Sequence, residues 1–186
     1  METPNFEKEA LAAEFKKYVE DLRLDPEKLC DQKIADIGCG ENAEFVRAAL
    51  ENGIENIVGV DISFRNDLAG DSKLKDHLIN KGAEDVKLHN MDLIVAYASI
   101  GSHPDIDLPK TFDNLTSGLN PAGELRIYPI SDSETLKGIQ RKRKEVENAL
   151  QSLPEGEFEI EFVKGEEQEL PSGEKFTDDL LIVTRK

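Results

Sequence analysis

Apolar side chains recur at three- and four-residue steps in the first part of the chain. Leu11, Phe15, Tyr18, Val19 and Leu22 fall on one stripe, which predicts a helix over about residues 6–24 that ends before Pro26. From residue 33 the pattern changes. Short runs rich in Ile and Val at 33–37, 56–60, 77–81, 91–96 and 124–129 alternate with amphipathic stretches, as a parallel sheet with crossover helices requires. Ala43, Val46, Ala49 and Leu50 predict the first crossover helix, closed by Asn52-Gly53. Pro109, Phe112 and Leu115 predict another, followed by a turn at Asn120-Pro121-Ala122-Gly123. The second crossover, 64–76, is short and carries Gly70, and a brief helix is expected there.

After the fifth run, Ser131 and Glu134 form a capping-box pattern, and Leu136, Ile139, Val146 and Leu150 continue a helical face to Pro154. The period then drops to two. Phe158, Ile160 and Phe162 alternate with charged residues and 180–183 is continuously apolar, which predicts a long antiparallel hairpin around Pro171-Ser172-Gly173. The expected fold is α/β: a doubly wound, mostly parallel, seven-stranded Rossmann-like sheet with an antiparallel C-terminal hairpin. With 186 residues and no linker-like tract, one domain over 1–186 is expected.

Charge narrows the partners. Asp and Glu number 39 against 23 Lys and Arg, a formal net charge of -16, which disfavours a phosphate backbone and predicts no nucleic-acid partner. The basic run 141–144 lies mid-helix by its neighbours and is read as a solvated face. No apolar run is long enough to span a bilayer, and the polar, acidic N-terminus lacks a signal-peptide pattern. Two cysteines, Cys30 and Cys39, form neither a zinc spacing nor a redox motif, so a cytoplasmic protein without membrane partners is expected. The chain leaves the oligomeric state open.

The informative chemistry lies at Asp36-Ile37-Gly38-Cys39-Gly40-Glu41-Asn42, where a strand runs into a tight turn before a helix. Gly38 permits the turn, and Gly40 lets backbone approach a ligand over the helix N-terminus. Asp61 ends the second run about 20 residues later, where a carboxylate can accept from two ribose hydroxyls. Gly38-x-Gly40-x-x-Ala43 also fits the dinucleotide fingerprint, so an NAD-binding oxidoreductase is the rival reading. Asp36 and Glu41, with no Lys or Arg between or beside them in the loop 36–42, would repel a pyrophosphate and attract a sulfonium and an ammonium. S-adenosylmethionine is therefore the favoured cofactor.

The stretch Asp36-Ile37-Gly38-Cys39-Gly40, with Val58-Gly59-Val60-Asp61-Ile62-Ser63, resembles motifs I and II of the class I S-adenosylmethionine-dependent methyltransferases. Lys81-Gly82-Ala83-Glu84-Asp85 is similar to that family's acidic segment after strand three. Asp92 to Ala96, Leu119 to Leu125 and the closing run resemble its strand four, its turn into strand five and its last strand. The resemblance implies that Gly38 and Gly40 line the methionine moiety, with Ile37, Cys39 and Asn42 completing the loop. It implies that Asp36 helps to hold the ammonium, Asp61 takes the ribose and Ile62 packs on adenine. Glu84 or Ala83 would meet the adenine amino group, Ala96 and Tyr97 would lie beneath the sulfonium, and the N-terminal helix would cover the pocket.

Two positions depart from the family: Asn42 stands where many members have a third glycine, and Ala83 where an aspartate is common. With the short second crossover they leave a second alternative open, a catalytically inactive adenosyl-binding domain.

Methyl transfer is a direct displacement that gains most from holding the acceptor in line, so no base is obligatory. Tyr97, His103 and Tyr128 are the candidates at the strand ends, where acceptors sit. His77, His89 and His103 show no ligand spacing, and no metal is predicted. No Gly-x-Ser-x-Gly elbow is present. Strand four continues as Ala96-Tyr97-Ala98-Ser99, without the Asn-Pro-Pro-Tyr signature that resembling enzymes use on nucleobase nitrogens. The expected activity is methylation of a small molecule.

Overall fold

The parity of the strands decides the architecture. In a buried parallel strand successive side chains point to opposite faces, and each face must be covered by helices. The structure, a computed structural model, describes residues 5–65, 68–100, 106–131 and 143–186. Helix α1 (Asn5–Asp21) and the short α2 (Pro26–Leu29) precede β1 (Ile34–Ile37). Then follow α3 (Glu44–Glu51), β2 (Ile57–Asp61), β3 (Leu78–Asn80), β4 (Met91–Tyr97), α4 (Leu108–Ser117), β5 (Leu119–Ser131), α5 (Arg143–Leu150), β6 (Phe158–Val163), β7 (Glu167–Glu169) and β8 (Lys175–Arg185).

The sheet runs in the order β3-β2-β1-β4-β5-β8-β6, with β7 pairing off this path to β8. The pairs among β1 to β5 are parallel, whereas β8 is antiparallel to β5, β6 and β7. The order reverses between β1 and β4, which opens a crevice at their carboxyl ends. Among the described residues eight strands form where seven are expected. The addition is β7, whose three residues are all exposed and so leave no apolar signature.

Two cores flank the sheet. Ala35, Ile37, Phe112, Leu115, Val146 and Leu150 belong to one, under α4 and α5. Tyr18, Leu22, Ile34, Phe45, Val46 and Val95 belong to the other, under α1 and α3. Leu11, Tyr18 and Leu22 are the buried stripe of the N-terminal segment. A fully buried leucine such as Leu22 contributes about 1.5–3 kcal/mol, so the helix is held by burial of this face. Arg126 fixes its end, donating from Nη1 to the carbonyls of Leu22 at 2.7 Å and Arg23 at 2.6 Å.

Local signals explain the helix boundaries. Asp107 caps α4 by accepting from the Lys110 amide at 3.1 Å, with Pro109 in the first turn. Gly53, at φ +79°, closes α3. Two expectations are corrected. The second crossover is two single turns of 3-10 helix, Leu68–Gly70 and Lys75–His77, because its few apolar residues do not complete a helical stripe. Residues 120–123 are the irregular start of β5 rather than a free turn. The pairing with β4 shifts between Met91 and Leu93, Ala122 has φ +61°, and a Cβ on Gly123 would stand 2.8 Å from the Met91 carbonyl oxygen. Ser131 is described, but Glu134, Leu136, Ile139 and His103 lie outside the described residues.

Candidate functional site

β1 and β2 end side by side, and the loops after them meet over a cavity of about 600 Å³. Gly38 and Gly40 take φ +69° and +76°, a backbone that L side chains adopt at a cost. Their surroundings differ. A Cβ on Gly40 would meet nothing within 4 Å, so this backbone faces open space. A Cβ on Gly38 would collide with Ser99, whose hydroxyl donates to the Ile37 carbonyl at 2.6 Å and ties the loop after β4 to the end of β1.

Asp61 sits at the rim. Its Oδ2 accepts from the Gly40 amide at 2.9 Å, and its Oδ1 accepts from the Ser63 amide at 2.9 Å and the Ser63 hydroxyl at 3.1 Å. An ionised carboxylate has about four lone-pair positions, so three donors leave room for one more, and the exposed Ser63 hydroxyl can be exchanged for a ligand hydroxyl. Ile62 beside it is 69% exposed, an apolar face with no protein to cover it. Gly82, Ala83 and Glu84 form the opposite wall with Ile106, and Glu84 Oε1 accepts from the Asp107 amide at 2.5 Å.

Of the cofactor-binding residues expected from sequence, the fold brings Ile37, Gly38, Gly40, Asp61, Ile62, Ala83 and Glu84 to this cavity. It places the others elsewhere. Asp36 alternates to the α1 side and is completely buried, with neither oxygen in a hydrogen bond of good geometry. Burial, with repulsion from Asp61 and Glu14, holds its carboxyl well above the ordinary aspartate range, opposed in part by the Tyr18 hydroxyl. Cys39 is buried against Gly59, and burial likewise pushes its thiol up. Asn42 accepts from Arg65 Nη1 at 3.4 Å, outside the cavity. Ala96 is in the core under α4 and α5.

Tyr97 does not line the cavity either. It stacks on Tyr18 with centroids 4.7 Å apart and donates to Asp21 Oδ2 at 2.7 Å. Tyr128 lies 5.7 Å from it on the same side. The N-terminal helix therefore covers Asp36 and the tyrosines rather than the cavity mouth.

The fold also adds what spacing did not reveal. Lys81 lines the cavity, and Arg65 stands beside Asn42, so cations come nearer to the glycine loop than the sequence indicates. Ala98, Ser99 and Ile100, in the loop after β4, supply the wall expected from Ala96 and Tyr97. Ala98 has φ +48°, a strained backbone of the kind that collects at working sites. Its amide donates to the Tyr128 carbonyl at 2.7 Å.

No protein-family model matches the sequence, and the search of curated proteins gave no match. Solved structures do resemble the fold. A SAM-dependent methyltransferase from Archaeoglobus fulgidus shares 17% identity at a TM-score of 0.60, over 96% of this chain and 94% of that one. This is the fold of the class I S-adenosylmethionine-dependent methyltransferases. Magnesium protoporphyrin IX methyltransferase from Synechocystis PCC 6803, solved with bound SAM, matches this methyltransferase fold over all of this chain and 86% of its own, at 14% identity and TM-score 0.57. Mitomycin 7-O-methyltransferase matches at 13% identity and TM-score 0.59 over 95% of this chain, which spans 54% of its length.

Among the described residues no group of side chains is arranged to hold a metal ion, and no helix is long and apolar enough to cross a membrane.

Proposed function

We propose that this chain is a methyltransferase that uses S-adenosylmethionine to methylate a small molecule. The observation that carries the reading is Asp61, a rim carboxylate with spare acceptor capacity, hydrogen-bonded to the open backbone of Gly40 across a cavity of about 600 Å³. The residues suit an adenosine: a carboxylate for ribose hydroxyls, the exposed Ile62 for a base face, and Glu84 with Ala83 for its polar edge. When bound, the cofactor supplies an electrophilic methyl group on a sulfonium. The chain's part is to bind, orient and exclude water, which suffices for an in-line displacement.

A dinucleotide is the less suitable occupant. Glu44 lies in the first turn of α3, and Ala43 provides no side-chain cap, so the helix N-terminus offers a pyrophosphate a like charge. Lys81 and Arg65 reduce the contrast that spacing alone suggests, and the resemblance of the whole fold to methyltransferases tips the balance. The test is to identify by mass the ligand retained through purification. S-adenosylmethionine or S-adenosylhomocysteine is the expected result, and a nicotinamide dinucleotide would overturn the reading.

A further inference from the structure

The chain contains three tyrosines and no tryptophan, and the fold gathers all three tyrosines in one place. Tyr18 of α1 lies between Phe45, 4.1 Å away at 7°, and Tyr97, 4.7 Å away at 27°. Tyr97 in turn is 5.7 Å from Tyr128. The inner end of this row is buried packing. The outer end, Tyr97 and Tyr128 at the carboxyl ends of β4 and β5, is only half-buried.

Carboxylates surround that outer end. Asp21 accepts from the Tyr97 hydroxyl, Asp21 and Asp178 both raise the Tyr128 hydroxyl after burial itself, and Glu14 acts on Tyr97. Aromatic faces are negative and so are these acids, a combination that attracts weakly hydrated cations. A cation is already present: the Lys17 ammonium stands 4.7 Å from the Tyr97 ring centroid. Lys17 is exposed on α1, so its flexible stem can release this position to a ligand and return the charge to water.

The geometry points to a binding site for an organic ammonium on Tyr97 and Tyr128, where Lys17 acts as a tethered occupant that the ligand displaces. Ala98 and Ser99 of the cavity wall follow Tyr97 directly, so the two sites share one strand end. Binding of the ammonium is measured without cofactor and does not depend on the methyltransferase reading.

Choline is the probe, with 3,3-dimethyl-1-butanol as its uncharged isostere and tyrosine fluorescence of the full chain as the readout. A saturable change with choline, and little with the alcohol, is expected. Lys17→Met should tighten choline binding about two- to five-fold, and Asp21→Asn should weaken it by a similar factor. Lys16→Met, one residue away and paired with Glu20, controls for bulk charge and should leave it unchanged. An equal response to the alcohol, or a Lys17→Met titration no tighter than that of Lys16→Met, would overturn the proposal. Loss of S-adenosylhomocysteine binding with choline binding intact would instead count against the methyltransferase reading alone.

Discussion

A Cβ placed on Gly38 would stand 2.3 Å from the Cβ of Ser99. Two loops, after β1 and after β4, are thus packed together through the absence of one methyl group. Gly40, two residues on, shares the left-handed backbone but faces empty space. The pair predicts a separation of stability from binding. Gly38→Ala should destabilise the fold by about 3 kcal/mol, from backbone strain plus overpacking. Gly40→Ala should cost only about 1–2 kcal/mol, the strain alone, while weakening nucleoside binding at the cavity. Urea denaturation of both variants, with ligand binding measured on each, checks the contrast.

Asp36 makes stability depend on pH in an identifiable direction. Its folded carboxyl holds a proton above the pH, about 3.9, at which an unfolded aspartate releases it. This stabilisation is full below the unfolded value and is lost as pH rises through the raised folded one. Asp36→Asn should flatten that decline and leave the variant more stable at pH 8, by about 1–3 kcal/mol. Thermal melts of both proteins from pH 4 to pH 8 measure it. Parallel curves would show that Asp36 is ionised in the fold throughout.

Arg126 predicts how α1 is held. Its guanidinium donates to the carbonyls of Leu22 and Arg23 and pairs with Glu124 at 2.6 Å, all at the C-terminal end of the helix segment. Arg126→Met keeps the stem but leaves these carbonyls without their donor, for about 1–3 kcal/mol of stability. Hydrogen exchange should then rise in α1 ahead of β1 and β4. Uniform acceleration throughout the sheet would show that the contact stabilises the whole fold rather than the helix.

Much of the fold is legible in the sequence because burial on both faces leaves nearly continuous apolar runs in β1, β2 and β4, whereas β5 alternates and the edge strand β3 is only partly buried. What escapes is structure without apolar content. β7 is wholly polar, and the start of β5 resembles a turn because Asn120-Pro121-Ala122-Gly123 is turn chemistry used in a bulged strand. At the site, the glycine loop and Asp61 follow from residue type and spacing, and Ile62 and Glu84 from the resemblance to the class I methyltransferases. Asp36 and Tyr97 lie off the cavity for one reason: alternation sends them to the α1 face with Ile34 and Val95. That alternation is visible in the sequence, whereas the approach of Arg65 and Lys81 depends on long-range folding.

The most direct measurement is calorimetric titration of S-adenosylhomocysteine into the unmodified chain and into Asp61→Ala. Saturable binding to the first, weakened roughly 10- to 100-fold in the second by loss of charge-assisted hydrogen bonds, is the predicted result. No heat of binding at millimolar ligand, or equal affinity for both proteins, would contradict the adenosine site at Asp61.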